Sequence, residues 1–425
     1  MHLVYDLTMR ATRTVVDLAV RGDGKLGRGV AGRRAAIARL EAWAAAYRRV
    51  ERPLVWLHAP SVGETLMAGS ILEVLRDVRP DCQIAFTFFS PSAERASTQV
   101  RADVASYLPW DIRGDVCRAL DALRPAVVAF VRTEVWPALI DEAARRGARC
   151  ALVNAPLAAD SSRLRPIARR MLRPTYRALD AVGAVRQEDA RRFAELGVPA
   201  SRVHVTGDAR FDQVMTRTKS DPDGARVPGP LRTAPLPVVV AGSIWEADAD
   251  RILPAIAALR TRRLLWVLAP HEPTPAHVVS LEQGLARHGI RHARVDRLEA
   301  ATREQDFPDA VVVDRTGLLA DLYSVARVAY VGGGFGWAGL HAVIEPAAHG
   351  VPVLFGPRHG NTVEANDLVA AGGGFVVRDA AGLIDRVSAL LDDTRAGEAA
   401  RMFVAARLGG SAANAALIVK LLGDP

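Results

Sequence analysis

The chain has 425 residues, half of them hydrophobic and 24% charged, enough for two or three domains and too apolar for a disordered polypeptide. Lys and Arg total 55 against 47 Asp and Glu, a net charge of +8, and residues 1–50 alone hold ten basic side chains against four acidic ones. An excess so local points to contact with an anionic surface such as a membrane, not to a nucleic-acid-binding fold.

Residues 1–45 are expected to form an amphipathic helix and a basic segment. On a helical wheel Leu3, Val4, Leu7, Ala11, Val15 and Leu18 fall in one stripe, with Asp6, Arg10, Arg13 and Asp17 on the flank or far side. That pattern suits either a helix lying in a membrane interface or one packed on its own domain. The same charges interrupt any apolar core of a cleavable signal peptide. No window approaches the roughly 18 uncharged apolar residues of a membrane span. Cys82, Cys117 and Cys150 show no CxxC spacing, which argues against a disulfide framework and a cysteine zinc site. A reducing compartment is the natural reading.

From residue 46 to 216, short apolar runs alternate with segments of helical period. Strands are expected at Leu54–Leu57, Ile84–Thr87, Ala126–Val131, Ala151–Val153, Ala181–Ala184 and Val203–Val205, and helices at 63–78, 113–123, 134–146, 161–179 and 187–196. Residues 217–237, with five prolines and two glycines, have the composition of a linker. The alternation resumes over 238–425, with strands at 238–241, 264–268, 310–313, 328–331, 351–354 and 374–377. Helices are expected near 248–259, 274–289, 318–326, 341–349, 362–371 and 380–391. Two α/β lobes of doubly wound, Rossmann-like type follow, with ligands expected at the carboxyl ends of their strands and in a cleft that both lobes face.

Several strand-end segments carry chemistry. Trp56-Leu-His-Ala-Pro-Ser-Val-Gly-Glu64 runs from strand to turn to helix. Glu64, in the first helical turn, suits either a partner for the helix dipole or a general base, and His58 a packing role. Tyr330-Val-Gly-Gly-Gly-Phe-Gly-Trp-Ala-Gly339 places Gly334, Gly336 and Gly339 in a GxGxxG spacing that lets backbone N–H groups approach a phosphate. The next strand ends Leu354-Phe-Gly-Pro-Arg358 without the acid that grips a dinucleotide ribose. His341 and Glu345 are one turn apart and are expected on one helix face, with Glu345 binding ribose hydroxyls. Asp248 and Asp250 form a DxD read as structural acids of a first helical turn rather than as a metal site, and His288 and His292 lack a third ligand. Six arginines from Arg163 to Arg177 suit a solvated face or contact with a phosphorylated or membrane-held substrate.

The ordered segments HAPSVGE (58–64), TFFSPSAE (87–94), YLPWD (107–111), TEVWP (133–137), LVNAPL (152–157), GDARFDQV (207–214), AGSIWEAD (241–248), LAPHEP (268–273), GGGFGWAGLHAVIEPAAHGVPVLFGP (332–357) and EANDLVAAGGGF (364–375) resemble the 3-deoxy-D-manno-octulosonic acid (Kdo) transferases of lipid A assembly. The resemblance implies an inverting glycosyltransferase of GT-B type, with CMP-Kdo as donor and the disaccharide lipid A precursor as acceptor. It also implies a place at the cytoplasmic face of the inner membrane and no metal or other cofactor. By the same resemblance Glu64 is the general base and Glu134 an acceptor-side acid. Gly242, Ser243, Pro270, His271, Gly334, Phe335, Gly336, His341 and Glu345 would bind the donor. The chain departs from the common pattern at Ala342, at His271 and at Pro156, where many members have an amide, an arginine and an arginine. An NAD(P)-dependent oxidoreductase, built on the glycine spacing, and another GT-B transferase or epimerase using a different nucleotide sugar are the alternatives.

Overall fold

The computed structural model describes residues 2–20, 22, 24–221, 224–298 and 307–423; of the expected segments, Met1, Arg21, Asp23, Pro222, Asp223, residues 299–306, Asp424 and Pro425 lie outside them. The chain divides into two compact units, Met1–Gln213 with Leu408–Pro425, and Val214–Arg407.

The first unit is built on seven parallel strands: β1 (Leu54–Ala59), β2 (Gln83–Phe88), β3 (Val104–Tyr107), β4 (Val127–Val131), β5 (Arg149–Ala155), β6 (Ala181–Ala184) and β7 (Val203–Val205). Their order is β3-β2-β1-β4-β5-β6-β7. Every residue of β1, β2 and β4 is buried, as unbroken apolar runs require when helices cover both faces. One face packs Trp56, Val128, Phe130 and Leu152, and the other Val55, Leu57, Ile84 and Phe86. Chain order reverses between β1 and β4, so the loops after these strands diverge and leave room for a ligand.

The second unit repeats the plan with β8 (Val238–Ile244), β9 (Leu265–Pro270), β10 (His292–Arg294), β11 (Ala310–Val312), β12 (Ala326–Val331), β13 (Val353–Phe355) and β14 (Gly374–Val376). Their order is β10-β11-β9-β8-β12-β13-β14, all parallel, with the reversal between β8 and β12.

Several expectations change. The proline-rich segment is not a free tether: Val227, Leu231 and Leu236 are buried in the second unit's core, and a helix at Ala209–Lys219 runs into its start. Residues 408–425, expected in the second lobe, return to the first, where Ala415 and Ile418 of the helix Gly410–Leu422 join its core. Thr394–Leu422 is apolar enough for a membrane span by composition, but it is split into the helices Thr394–Ala405 and Gly410–Leu422, in different units. His288 caps the helix Pro275–Arg287 and His292 opens β10, so the two share no helix face.

The helix His2–Ala19 docks through its polar side. Tyr5 donates to Asp111 at 2.8 Å, Asp6 accepts from the Arg113 N–H, Arg13 pairs with Asp115 and Asp17 with Arg34. Val4, Leu7, Val15 and Leu18 are 56–69% exposed, so the apolar stripe is not the packing face.

Candidate active site

Glu64 follows β1 in the first turn of the helix Val62–Val78, which Ser61 caps by accepting from the Glu64 N–H. Its Oε1 lies 3.9 Å from Arg132 Nε, and its buried Oε2 has no hydrogen-bond partner among the described residues. Arg132 follows β4 with φ +72°, a left-handed conformation uncommon outside glycine and often found at functional sites. Glu134 is two residues on, in a loop, because the helix expected from 134 begins at Pro137. Burial and then the neighbouring Glu64 charge push the Glu134 carboxyl up, against the pull of Arg163 and Arg33. The two predicted acids therefore meet at the β1/β4 reversal. His58 is fully buried, bonds Thr87 through Nδ1, and burial pushes its pKa down to about 3, which fits a packing role.

Among the described residues, every buried side-chain polar atom without a partner except Asp314 Oδ1 belongs to this part of the first unit. They are Arg33 Nε, His58 Nε2, Glu64 Oε2, Tyr107 Oη, Trp110 Nε1, Glu134 Oε2 and Trp136 Nε1. Native proteins seldom leave such atoms unmatched, so a concentration at strand ends marks a place for a polar ligand.

In the second unit, Gly242 and Ser243 lie close to the end of β8, Pro270 ends β9 with His271 just after it, and the glycine turn follows β12. These strands are adjacent, so the predicted residues converge at the second reversal. Close backbone approach explains the glycines. A Cβ on Gly334 would lie 2.6 Å from the Gly356 nitrogen, and one on Gly332 2.3 Å from the Ser243 carbonyl oxygen. The Gly332 and Gly333 N–H groups are taken by the Gly242 carbonyl and by Asp248. Those of Gly334, Phe335 and Gly336 have no backbone partner among the described residues. Asp248, fully buried, also accepts from Tyr330 Oη at 2.7 Å and caps the helix Glu246–Ala258, a structural role as expected. No group of three His, Cys, Asp or Glu among the described residues is arranged to hold a metal.

His341 stacks on His271 at 4.4 Å, and His271 on Trp245 at 4.6 Å. Trp245 Nε1 donates to His341 Nε2 at 3.1 Å, so that nitrogen is unprotonated. Burial and then His271 push the His341 pKa down, favouring the neutral ring with its proton on Nδ1. The shared helix face expected for His341 and Glu345 is not formed. The helix is only Ile344–Ala348, because Asn361 bonds both the N–H and the carbonyl of Leu340 and holds that segment out of helical conformation. Glu345 instead lies near Tyr323, Arg217 and Asp321, its carboxyl pushed up by burial, with Arg217 opposing.

The family described as "3-Deoxy-D-manno-octulosonic-acid transferase (kdotransferase)" matches residues 34–213. A 3-deoxy-D-manno-octulosonic acid transferase of Bordetella pertussis is 30% identical over 372 residues, covering 84% of this chain and 85% of that one. The chain belongs to the Kdo transferase family. A Kdo transferase of Chlamydia pneumoniae is 29% identical over 364 residues, 82% of this chain and 80% of that one. This Kdo transferase is thus a glycosyltransferase of lipopolysaccharide biosynthesis. Its α/β fold is of GT-B type. A UDP-GlcNAc 2-epimerase of Neisseria meningitidis matches it with a TM-score of 0.62 at 14% identity, over 87% of this chain and 99% of that one. A glycosyltransferase of Rickettsia africae matches with a TM-score of 0.56 at 10% identity, over 88% of this chain and all of that one. Arg33, Arg132, Trp110 and Trp136, which the structure brings to the surroundings of Glu64 and Glu134, were not singled out from the sequence. The two tryptophans were visible inside YLPWD and TEVWP, whereas Arg33 lay in a basic run without a distinguishing signal.

Proposed function

We propose that the enzyme transfers Kdo from CMP-Kdo to a hydroxyl of the lipid A precursor with inversion, the first unit holding the acceptor and the second the donor. The observation that carries this reading is the Glu64 carboxylate at the β1/β4 reversal, with one buried oxygen unpartnered and Arg132 beside the other. An acceptor hydroxyl attacks the anomeric carbon from the face opposite cytidylate, and Glu64 takes its proton as the new bond forms. The phosphate of the departing CMP gains charge, which the N–H groups of Gly334, Phe335 and Gly336 and the Nδ1–H of His341 meet without a bound metal. Ser243, His271 and Glu345 complete the donor contacts.

The amphipathic helix His2–Ala19, together with the basic helix Lys25–Tyr47 that follows it, would hold the enzyme to the anionic cytoplasmic face of the inner membrane. Its outward Val4, Leu7, Val15 and Leu18 support this, as do exposed Ile167 and Met171 among the arginines of the helix Pro166–Arg177. The test is incubation of purified enzyme with CMP-Kdo and lipid A precursor, followed by mass spectrometry. Product carrying added Kdo is expected. Unchanged acceptor, with thermal stabilisation by UDP or a dinucleotide but not by CMP, would overturn the reading.

A further inference from the structure

The two carboxylates account for only part of what the first unit leaves unsatisfied. Arg33 Nε, Trp110 Nε1 and Trp136 Nε1 are buried donors without partners among the described residues. They come from separate places in the chain: Arg33 from the helix Lys25–Tyr47, Trp110 from the loop after β3, and Trp136 from the loop after β4. The structure gathers them around the stacked pair of Arg33 and Phe89. The Arg33 guanidinium carbon lies 3.5 Å from the centroid of Phe89 and 5.2 Å from that of Trp110, while Phe89 stacks on Trp136 at 5.7 Å. Burial lowers the Arg33 pKa to about 10, which still leaves it charged at neutral pH. Its face is covered by Phe89, and its one hydrogen bond among the described residues, Nη2 to the Phe89 carbonyl, is long at 3.4 Å.

Guanidinium and indole N–H groups donate and never accept. The ligand that satisfies all three must therefore present acceptor oxygens, and a half-buried cation favours oxygens that carry negative charge. Glu64 and Glu134 have the opposite requirement, because carboxylates accept from hydroxyls. The carboxyl end of one sheet thus offers acceptors for sugar hydroxyls beside donors for an anion. We infer that Arg33, Trp110 and Trp136 form an anion subsite that takes a phosphate group of the acceptor sugar while an acceptor hydroxyl lies at Glu64. The inference rests on the glycosyl-transfer reading above and adds how the acceptor is chosen.

The test uses the full chain and the variants Arg33→Gln, Trp110→Phe and Trp136→Phe; the last two remove an N–H and keep an aromatic ring. Calorimetric titration with inorganic phosphate should show binding to the wild type that Arg33→Gln weakens at least tenfold. In transfer assays with intact and dephosphorylated lipid acceptor, each variant should raise KM for the phosphorylated form by roughly tenfold to a hundredfold. KM for the dephosphorylated form should stay within about twofold. Equal losses on the two acceptors, or phosphate binding by Arg33→Gln as strong as wild type, would overturn the subsite. So would loss of binding to phosphatidylglycerol vesicles by Arg33→Gln, because that result would assign Arg33 to a membrane headgroup. Arg33-dependent phosphate binding in a protein that transfers no Kdo would leave the subsite standing and overturn the transfer reading. Unchanged circular dichroism of the two Trp→Phe variants keeps a folding defect from imitating the expected result.

Discussion

Replacing Asn414 by Ala tests how the C-terminal helix is tied to the catalytic half of the enzyme. Asn414 is fully buried in the helix Gly410–Leu422, and its Oδ1 accepts from the Asn154 N–H at 2.7 Å and from the Thr206 hydroxyl at 3.2 Å. Thr206 has a second acceptor in the Ala184 carbonyl at 3.3 Å, so only the Asn154 N–H is stranded by the substitution. A buried donor without a partner costs about 1–3 kcal/mol, and the small void left by the amide raises the total to roughly 2–4 kcal/mol. That is a large share of a typical stability of about 5–15 kcal/mol. The loss should also reach the site. Asn154 bonds the Ala209 N–H and the Met67 sulfur, and Ser411 bonds Ser70, both Met67 and Ser70 being on the helix that begins beside Glu64. Urea unfolding and hydrogen exchange read by mass spectrometry are the assays. Protection should fall in β4, β5 and β6 while β8, β9 and β12 keep theirs. A change under about 0.5 kcal/mol, or deprotection centred on β8–β12, would refute the reasoning.

Two further outcomes follow from the same geometry. His58 is held neutral with a pKa near 3, whereas an unfolded histidine titrates near 6.5, so below that pH the unfolded chain binds the extra proton. Stability contributed by this site is present above about pH 6.5 and falls by about 1.4 kcal/mol per pH unit below it, about 2 kcal/mol by pH 5. The urea midpoint of His58→Gln should lack that slope, and identical slopes in the two proteins would count against it. The second concerns the outward stripe of the first helix. Changing Val4, Leu7, Val15 and Leu18 together to Ser should alter thermal stability by less than about 0.5 kcal/mol per site, because none is packed. Flotation with anionic vesicles should drop at least tenfold, given about 1.5–3 kcal/mol for each large apolar side chain fully buried. Unchanged flotation would remove this helix as the membrane contact.

The central strands were legible because they are unbroken apolar runs bounded by turn residues, as at Leu54–Ala59 and Val127–Val131. The edge strands β3 and β10 were not: Val-Ala-Ser-Tyr and His-Ala-Arg are short, mixed in polarity and paired on one side only. Glu64 was readable because it lies in the first helical turn after a strand, where parallel sheets bind ligands, and Glu134 only through the resemblance of TEVWP. The return of residues 408–425 to the first unit was not, since the Asn414–Asn154 bond joins residues 260 apart and no local pattern records it. The four-residue spacing of His341 and Glu345 imitated a helix because the constraint on that segment comes from Asn361, in a different loop. Arg33 was hidden for the same reason, its aromatic partners being distant in sequence.

Proton removal by the Glu64 carboxylate is tested most directly by single-turnover transfer with Glu64→Gln, which keeps the side chain's shape and abolishes its basicity. The account predicts a rate lower by roughly 10²–10⁴-fold, with thermal stabilisation by CMP unchanged. A variant that transfers Kdo at close to the wild-type rate would contradict it.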